Sequence, residues 1–333
     1  MTGLKKNKHT KKSVAFLILG LVLILFPLVI KNIYYQRVII NAGIYVILAS
    51  SLNLLIGYLG LFSMGHAAFF CIGAYTSALL ATRLGVPFIL CFLAAGAMAA
   101  LFGALIGFAT LRLNDIFLMF ATLSLSEVIR ILIQNMVNFT GGPMGVSKIP
   151  VPTLFGKPFN SSMFYYLVLI VAAAVIYITN RLMHSNTGRT MVAIREDESA
   201  AKSLGINVFK YKMITMVISC FIAGIAGSIF AHFLQYISAT MFSINESTNM
   251  IAMVVIGGMG TVSGPVIGAL ILTLIPEVFR FLSEYRQFMY GAVLIISIIF
   301  APRGLVGFNY SKILAWKPIA KIKERISGEK RGE

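Results

Sequence analysis

Charged residues are scarce in this chain of 333 residues. They make up 12% of it, and only 11 of them are acidic. Soluble globular domains carry about 25% charged residues, so this composition excludes an ordinary soluble enzyme. Only three cysteines are present, all in apolar runs and at no paired spacing. Their arrangement argues against a disulfide framework and against a zinc site.

Motifs of several enzyme classes are also missing. The chain has no Gly-x-x-x-x-Gly-Lys-Ser/Thr phosphate loop, no His-Glu-x-x-His pair and no Cys-x-x-Cys pair. Its four histidines are far apart in the sequence. We therefore predict no enzymatic activity, no cofactor and no metal site. A membrane-embedded enzyme stays a distant alternative, because no catalytic constellation is visible.

Apolar residues are abundant instead, at 58% of the chain with a mean hydropathy of +0.88. With about 20 residues per crossing, the apolar runs predict an all-α, polytopic transmembrane helix bundle of about ten spans (eight to ten). The run at 13–30 is interpreted as an uncleaved first helix, because no small-x-small cleavage site follows it. The run at 247–276 contains either two short helices around a break or a re-entrant segment.

Basic residues outnumber acidic ones by 28 to 11, which gives a net charge of +17. In a membrane protein such an excess marks the cytoplasmic loops, so we predict no nucleic-acid partner. Placing both termini in the cytoplasm puts twenty of the 28 basic residues there. The predicted organisation is a basic cytoplasmic N-terminus (1–12), one transmembrane domain (13–307) and a basic cytoplasmic tail (308–333). Anionic membrane lipid is an expected contact of the basic segments.

One long hydrophilic segment, 181–212, interrupts the apolar runs. Its apolar and small residues fall near helical spacing, which predicts a short cytoplasmic helix from about Ala193 to Leu204 that ends at Gly205. A helix with a small apolar ridge and charged flanks is suited to dock in a groove of another protein. The alternative is a polar loop without a partner.

Glycine-rich breaks interrupt the apolar runs near 57–65 and 257–264. Broken membrane helices in both halves of a chain are typical of transporters whose path runs along the breaks; the alternative is tight helix packing alone. His66 either contacts substrate or satisfies a backbone carbonyl. Glu127 and Arg130 form a charge pair within an apolar run. The candidates for the translocation path are Asn53, Ser63, Gly65, His66, Glu127, Gly257, Gly258 and Gly260.

Several segments together resemble one known family. They occur in order over about 39–307, and five such segments in sequence are specific although each alone is modest. The segments are 53–75, 121–130, 140–145, 188–206 and 256–268, with 301–305 at the end. The chain resembles the membrane-spanning permease of the branched-chain amino-acid ABC importers, in particular the LivM-type subunit.

This resemblance implies a function and a set of partners. The chain is expected to be a permease of the bacterial inner membrane that imports branched-chain amino acids. The expected partners are a homologous permease, two ATP-binding subunits that hydrolyse ATP, and an extracytoplasmic substrate-binding protein. Import of urea or short amides is one alternative, and a stand-alone ion-coupled transporter or channel is another.

The segment 181–212 is then expected to dock on the ATP-binding subunits, because its Ala-Ala-x-x-x-Gly core is similar to the coupling motif of ABC permeases. Two departures leave the contact residues open: Ser199 stands at a usually acidic position, and no Leu-Pro pair follows. The candidate coupling residues are Gly188, Arg189, Arg195, Glu196, Asp197, Glu198, Ala200, Ala201 and Gly205.

Overall fold

The computed structural model describes residues 27, 32–113, 115–154, 157–278, 291 and 304–305. Four predicted features lie outside these residues: the first span (13–30), the last span (287–302) and the two basic termini. Only residue 27 of the first span and residue 291 of the last are described. In chain order the helices are α1 (Ile33–Asn53), α2 (His66–Leu84), α3 (Phe88–Thr110), α4 (Asp115–Asn135), α5 (Val137–Thr140), α6 (Ser161–Met183), α7 (Asn186–Glu196), α8 (Glu198–Ser203), α9 (Val208–Leu234), α10 (Ile244–Gly257) and α11 (Gly264–Val278).

Short elements complete the described chain. A π-helical turn continues α1, and 3-10 turns follow α5 and precede α10. Four two-residue strands pair as two small antiparallel ladders, β1 with β4 and β2 with β3. The π-helical turn is Leu54–Tyr58, the 3-10 turns are Gly142–Met144 and Ala239–Phe242, and the strands are β1 (Val146–Ser147), β2 (Thr153–Leu154), β3 (Lys157–Pro158) and β4 (Tyr236–Ile237).

Six described helices are long and apolar enough to cross a membrane. A lipid-embedded chain must satisfy its backbone polar groups internally, which is why these uncharged runs form helices. The structure therefore confirms a multi-spanning helical protein. It does not confirm about ten spans: two predicted spans lie outside the described residues, and α10 and α11 have only 14 and 15 residues. The six are Ile33–Tyr58, His66–Leu84, Phe88–Thr110, Ile116–Asn135, Ser161–Met183 and Val208–Leu234.

Helix α9 forms extensive contacts with α2 and α3 and is largely buried between them. Small residues allow these helices to approach closely. A β-carbon at Gly103 would lie 2.5 Å from the Cys220 sulfur, and one at Gly224 would lie 2.5 Å from the Ala99 β-carbon. By contrast, α3 and α4 expose most of their apolar surface.

Both predicted glycine breaks are present. The first follows the π-helical turn and runs without regular structure over 59–65, until α2 begins at His66. The second separates α10 from α11, which fold back on each other as an antiparallel hairpin. A β-carbon at Gly268 would collide with the Met253 backbone, and one at Gly257 with the Gly264 backbone. The run at 247–276 thus contains two short helices around a break, and their hairpin fits either of the two predicted arrangements.

The segment 181–212 differs from its prediction. A single helix over 193–204 is wrong, because α7 ends at Glu196 and α8 begins at Glu198. Asp197 between them is extended (φ −156°, ψ 108°), and its side chain accepts a hydrogen bond from the Ala200 amide at 2.9 Å. The aspartate therefore acts as an N-cap that starts a new helix. Gly205, with φ +78°, lies in the left-handed region just after α8, as predicted.

Candidate functional site

The two glycine breaks are in direct contact with each other. Asn53, at the end of α1, donates from Nδ2 to the Thr261 carbonyl at 2.9 Å and accepts at Oδ1 from the Gly260 amide at 3.0 Å. Its side chain is buried, so these bonds are made away from bulk water. We call this contact, with the Gly57 and Gly60 backbone beside it, the glycine junction. Asn53 holds the two breaks together there.

Arg195 joins the α7 helix to the glycine junction. Its Nη1 donates to the Gly57 carbonyl at 2.7 Å, and its Nη2 forms an ion pair with Glu196 at 2.6 Å. A β-carbon at Gly60 would lie 2.7 Å from the Arg195 γ-carbon, and one at Gly260 would lie 2.9 Å from Nη1. Both glycines have positive φ, so their backbone conformation and the space above them suit glycine alone.

Residues 304–305 pack on the second break. The Leu305 amide donates to the Ile256 carbonyl at 2.9 Å, and a β-carbon at Gly304 would collide with the backbone of Gly257 and Gly258. Gly257 and Gly258 are therefore covered by their own chain from two sides, by α11 and by Gly304. Both glycines are buried.

The start of α2 is satisfied by side-chain hydroxyls. The Ala67 amide donates to Ser247 Oγ at 3.0 Å, and the Met64 amide donates to Thr122 Oγ1 at 3.1 Å. Ser63 accepts from the Gly65 amide at 3.4 Å. The first amides of a helix lack intrahelical acceptors; α10 supplies one for Ala67, and α4 supplies one for Met64 in the break just before α2. Gly65 itself packs on the Thr122 backbone.

His66 is fully buried at the first position of α2. Its Nε2 lies 2.7 Å from Ser51 Oγ, and Nδ1 has no hydrogen-bond partner among the described residues. The structure shows no bond from His66 to a backbone carbonyl of the described residues. It shows instead a side-chain contact that ties α2 to α1.

Glu127 and Arg130 lie on α4, apart from the glycine junction. Arg130 donates to Glu127 through Nε at 2.9 Å and through Nη2, and to Gln134 Oε1 at 3.1 Å. The Arg130 and Glu127 side chains are 20% and 29% exposed. This polar row is partly buried on α4 and has no hydrogen bond to the glycine junction among the described residues.

Helix α7 is fixed to its own bundle. Ser185 caps it by accepting from the Gly188 amide at 3.3 Å, and Gly188 is so close to the Leu182 and Met183 backbone that only glycine fits. Met191 and Ile194 are buried beneath the helix. Arg189 is exposed and donates to Asn186 at 2.7 Å. The helix therefore has one face in the core and one in solvent.

Helix α8 is anchored by Glu198 and Ala201. Glu198 pairs with Lys202 at 2.8 Å and with Lys212 at 2.6 Å, and Ala201 is buried. Burial alone would raise the pKa of the Glu198 carboxyl, but the hydrogen bonds and charges of the two lysines outweigh it and hold that pKa below its ordinary value. Ala200 and Gly205 are exposed, and Leu204 is 81% exposed.

Comparison with known proteins gives a consistent assignment. The family described as "Branched-chain amino acid transport system / permease component" matches residues 34–298. This chain belongs to that family. The high-affinity branched-chain amino acid transport system permease protein LivM of Salmonella typhimurium (strain LT2) is 36% identical over 87% of this chain and 72% of its own length. LivM of Escherichia coli K12 is 37% identical over 79% and 68%.

A second type of relative is more distant. The permease protein LivH of the Salmonella typhimurium high-affinity system is 25% identical over 79% of this chain and 91% of its own length. No solved structure matches the chain. Membership of the family, together with the six membrane-spanning helices, makes the chain a multi-pass permease of the bacterial inner membrane.

Several residues that hold the first break and the segment 181–212 in place were not predicted from the sequence. Ser51, Thr122 and Ser247 are ordinary polar residues in apolar runs, and only the structure brings them to the start of α2. Lys212 is a basic residue of the polar segment 181–212, yet its side chain is buried and forms an ion pair with Glu198. Among the residues that the structure describes, no group of three or more histidine, cysteine or acidic side chains could hold a metal ion.

Proposed function

We propose that this permease is one membrane subunit of an ATP-driven ABC importer for branched-chain amino acids. The observation that carries the proposal is the segment 181–212: it forms two helices with an exposed small-residue face, and Arg195 links them to both glycine breaks. Such a segment joins an external docking surface to the part of the permease where its helices are interrupted. The positive-inside distribution supports a cytoplasmic location for the segment and for both termini.

The docking surface for an ATP-binding subunit would be the outer face of α8. Ala200, Leu204 and Gly205 face solvent there, and a β-carbon at Gly205 would meet nothing within 4 Å. A shallow apolar ridge of this kind fits a groove of a partner. Ala201 supports the surface from inside rather than forming it, because it is buried against the bundle. One ATP-binding subunit would bind each permease of a pair.

The second permease would cover part of the exposed surface of α3 and α4. Both helices present many large apolar side chains. The Glu127–Arg130 pair within that surface would be costly against lipid hydrocarbon, which supports a protein-covered or water-lined environment for this part of α4. The existence of LivM and LivH relatives supports a pairing of two homologous chains. Glu127 would then lie at or near the path between them.

Branched-chain amino acids suit the chemistry of the spanning segments. Their side chains are aliphatic, and the described spans contain few charged groups to desolvate. Serine, threonine and histidine side chains around the start of α2 offer polar partners for the charged ends of an amino acid. The LivM relatives are named for branched-chain amino acid transport. An extracytoplasmic binding protein would deliver the substrate and select it from urea or short amides.

Transport would then follow a two-state cycle. Closure of the two ATP-binding subunits would move α7 and α8, and the broken helices of each permease would follow. The helix pairs would rock between inward and outward access, as packed bundles with two discrete arrangements do. ATP binding needs to bias these states by only a few kcal/mol.

Reconstitution into proteoliposomes tests the proposal. The permease, its homologous partner, the two ATP-binding subunits and the binding protein are combined, and uptake of labelled leucine and of labelled urea is measured with and without ATP. The expected result is leucine uptake that requires ATP and every subunit. The matched control is a complex whose ATP-binding subunits cannot hydrolyse ATP. Uptake by this chain alone, without ATP, would instead support a stand-alone transporter or channel.

A further inference from the structure

Arg195 points away from the surface that α7 and α8 offer to a partner. Its guanidinium reaches inward to the Gly57 carbonyl at 2.7 Å, and its side chain is only 35% exposed. Arg189, two turns earlier on α7, stays in solvent with Asn186. Of these two arginines of α7, Arg195 is the one that contacts another part of the bundle.

The site around the Arg195 guanidinium is built from both breaks. Gly60 belongs to the first break and Gly260 to the second, and each leaves the space that the arginine occupies. Both have positive φ, at +79° and +72°, where a residue with a side chain is strained. Asn53 ties the same two segments together beneath it, through Gly260 and Thr261. A single side chain of α7 thus forms a hydrogen bond to the first break and lies beside the second.

The bond from Arg195 is suited to transmit force. A charged donor on a carbonyl gives a stronger hydrogen bond than a neutral pair, and carbonyls at a helix end lack an intrahelical donor. Glu196 holds the other guanidinium nitrogen at 2.6 Å, so the side chain is fixed at two points. A movement of α7 would therefore shift the Gly57 backbone, and the bonds of Asn53 would carry that shift to Gly260.

We propose that Arg195 is a positioning residue that transmits the movement of the docked helices α7 and α8 to both glycine breaks. The inference rests on the proposed function, in which an ATP-binding subunit moves this segment. It differs from the sequence-based expectation that Arg195 contacts that subunit. Arg195 acts inward, and the glycine junction is the element that it controls.

The test uses the full complex in proteoliposomes with Arg195→Ala, Arg195→Lys and the control Arg181→Ala. Arg181 is an exposed arginine of the same segment for which the structure shows no hydrogen bond or ion pair. Three quantities are measured: co-purification of the ATP-binding subunits, ATP hydrolysis, and leucine imported per ATP hydrolysed. Arg195→Ala is expected to retain the subunits and hydrolysis but to lower import per ATP about tenfold, the scale of a lost coupling between sites.

The other variants sharpen the expected result. Arg195→Lys keeps a charged donor but cannot bond to the Gly57 carbonyl and to Glu196 with two fixed nitrogens, so its import per ATP should lie between that of Arg195→Ala and the wild type. Arg181→Ala should match the wild type. If Arg195→Ala does not insert into the membrane, Arg195→Lys decides alone: a reduced ratio supports the proposal, and an unchanged ratio overturns it.

Two further outcomes would overturn the proposal. An unchanged import per ATP in Arg195→Ala excludes a transmitting role, and loss of the ATP-binding subunits from that variant makes Arg195 a docking residue instead. A cycle with Asn53→Ala adds an independent measure, because residues that act in one network give non-additive effects. Absence of ATP-dependent uptake by the wild-type complex would overturn the proposed function itself, which separates that failure from a failure of the Arg195 inference alone.

Discussion

The two glycine breaks are similar in sequence and different in structure. In the first break, the chain leaves α1 through a π-helical turn, and α2 begins at His66. Hydroxyls of α4 and α10 accept hydrogen bonds there from the Met64 and Ala67 amides. In the second, two short helices fold back on each other, and glycine backbones pack without side chains between them. The first break is held by hydroxyls of other helices, whereas the second combines direct backbone packing with bonds from Asn53 and from its own Thr261.

This difference separates two uses of glycine in a membrane bundle. A polar break can exchange one hydrogen-bond partner for another, so it can respond to a substrate. A packed hairpin has no such freedom and moves as a unit, because close-packed interiors transmit strain. The glycine junction connects the two through Asn53, so that a rigid element and an adaptable one meet at Arg195.

The largest effect on stability is expected from replacing a glycine of the second break with a larger residue. Gly257→Val places a branched side chain against the Gly264 backbone, and overpacking of this kind costs about 3 kcal/mol. Thermal unfolding in detergent and the amount of inserted permease measure it. The control is Gly85→Ala, which has φ +62° and open space, so that only backbone strain of about 1 kcal/mol is added. Equal losses in the two variants would show that packing does not hold the hairpin.

A smaller effect is expected at the first break. Ser247→Ala removes the acceptor of the Ala67 amide, and a buried amide without a partner costs about 2 kcal/mol. The melting temperature and the rate of leucine uptake should both fall. Thr248→Ala is the matched control, because the exposed Thr248 hydroxyl only donates within its own helix. A stable Ser247→Ala variant with full uptake would contradict the role of hydroxyls in this break.

Acid should loosen α8, because Glu198 anchors this helix through ion pairs with Lys202 and Lys212. The pKa of Glu198 is lowered in the folded chain, so its stabilising contribution is present above the pKa of the unfolded chain and is lost as pH falls through the folded value. Hydrogen exchange over 198–204, corrected for the intrinsic rate, should rise between about pH 5 and pH 3.

Glu198→Gln supplies the control for that pH dependence. The side chain at 198 then cannot ionise, so the exchange over 198–204 should be faster at neutral pH and should change less with acid than in the wild type; Asp197 is present as the N-cap in both. Lys212 remains buried in this variant and loses its charged partner, which is the physical reason for the faster exchange. A pH profile identical to that of the wild type would show that Glu198 is not the group that titrates.

The smallest effect on the fold is expected on the outer face of α8. Leu204→Asp changes a side chain that is 81% exposed, so the free energy of unfolding should shift by less than about 0.5 kcal/mol. Co-purification of the ATP-binding subunits should nevertheless decrease, because the apolar ridge is interrupted. Lys210→Ala, at another exposed position of the segment, should change neither quantity. Full retention of the subunits by Leu204→Asp would place the docking surface elsewhere.

Sequence reasoning located the breaks but not their contacts. Gly258 and Gly260 follow an apolar run and predict a break in the helix, because glycine readily adopts positive φ. The contact of Asn53 with Gly260 spans 207 positions, and no local pattern encodes such a pairing. The division of 181–212 at Asp197 was missed for a different reason. An aspartate is tolerated within a predicted helix, and only the capping geometry shows that it starts a new one.

The sequence by itself determined that the chain is a multi-pass helical permease, where its helices are interrupted, and that a helix of the segment 181–212 ends just before Gly205. These features follow from hydrophobic runs, glycine positions and family motifs, which act over short stretches of chain. Only the tertiary structure decided that Ala201 faces the core, that Leu305 packs on the second break, and that Arg195 bonds to the first break beside the second. Those contacts join segments that are far apart in the chain. They form because helix packing places backbone groups that lack local hydrogen-bond partners next to groups that can bond to them.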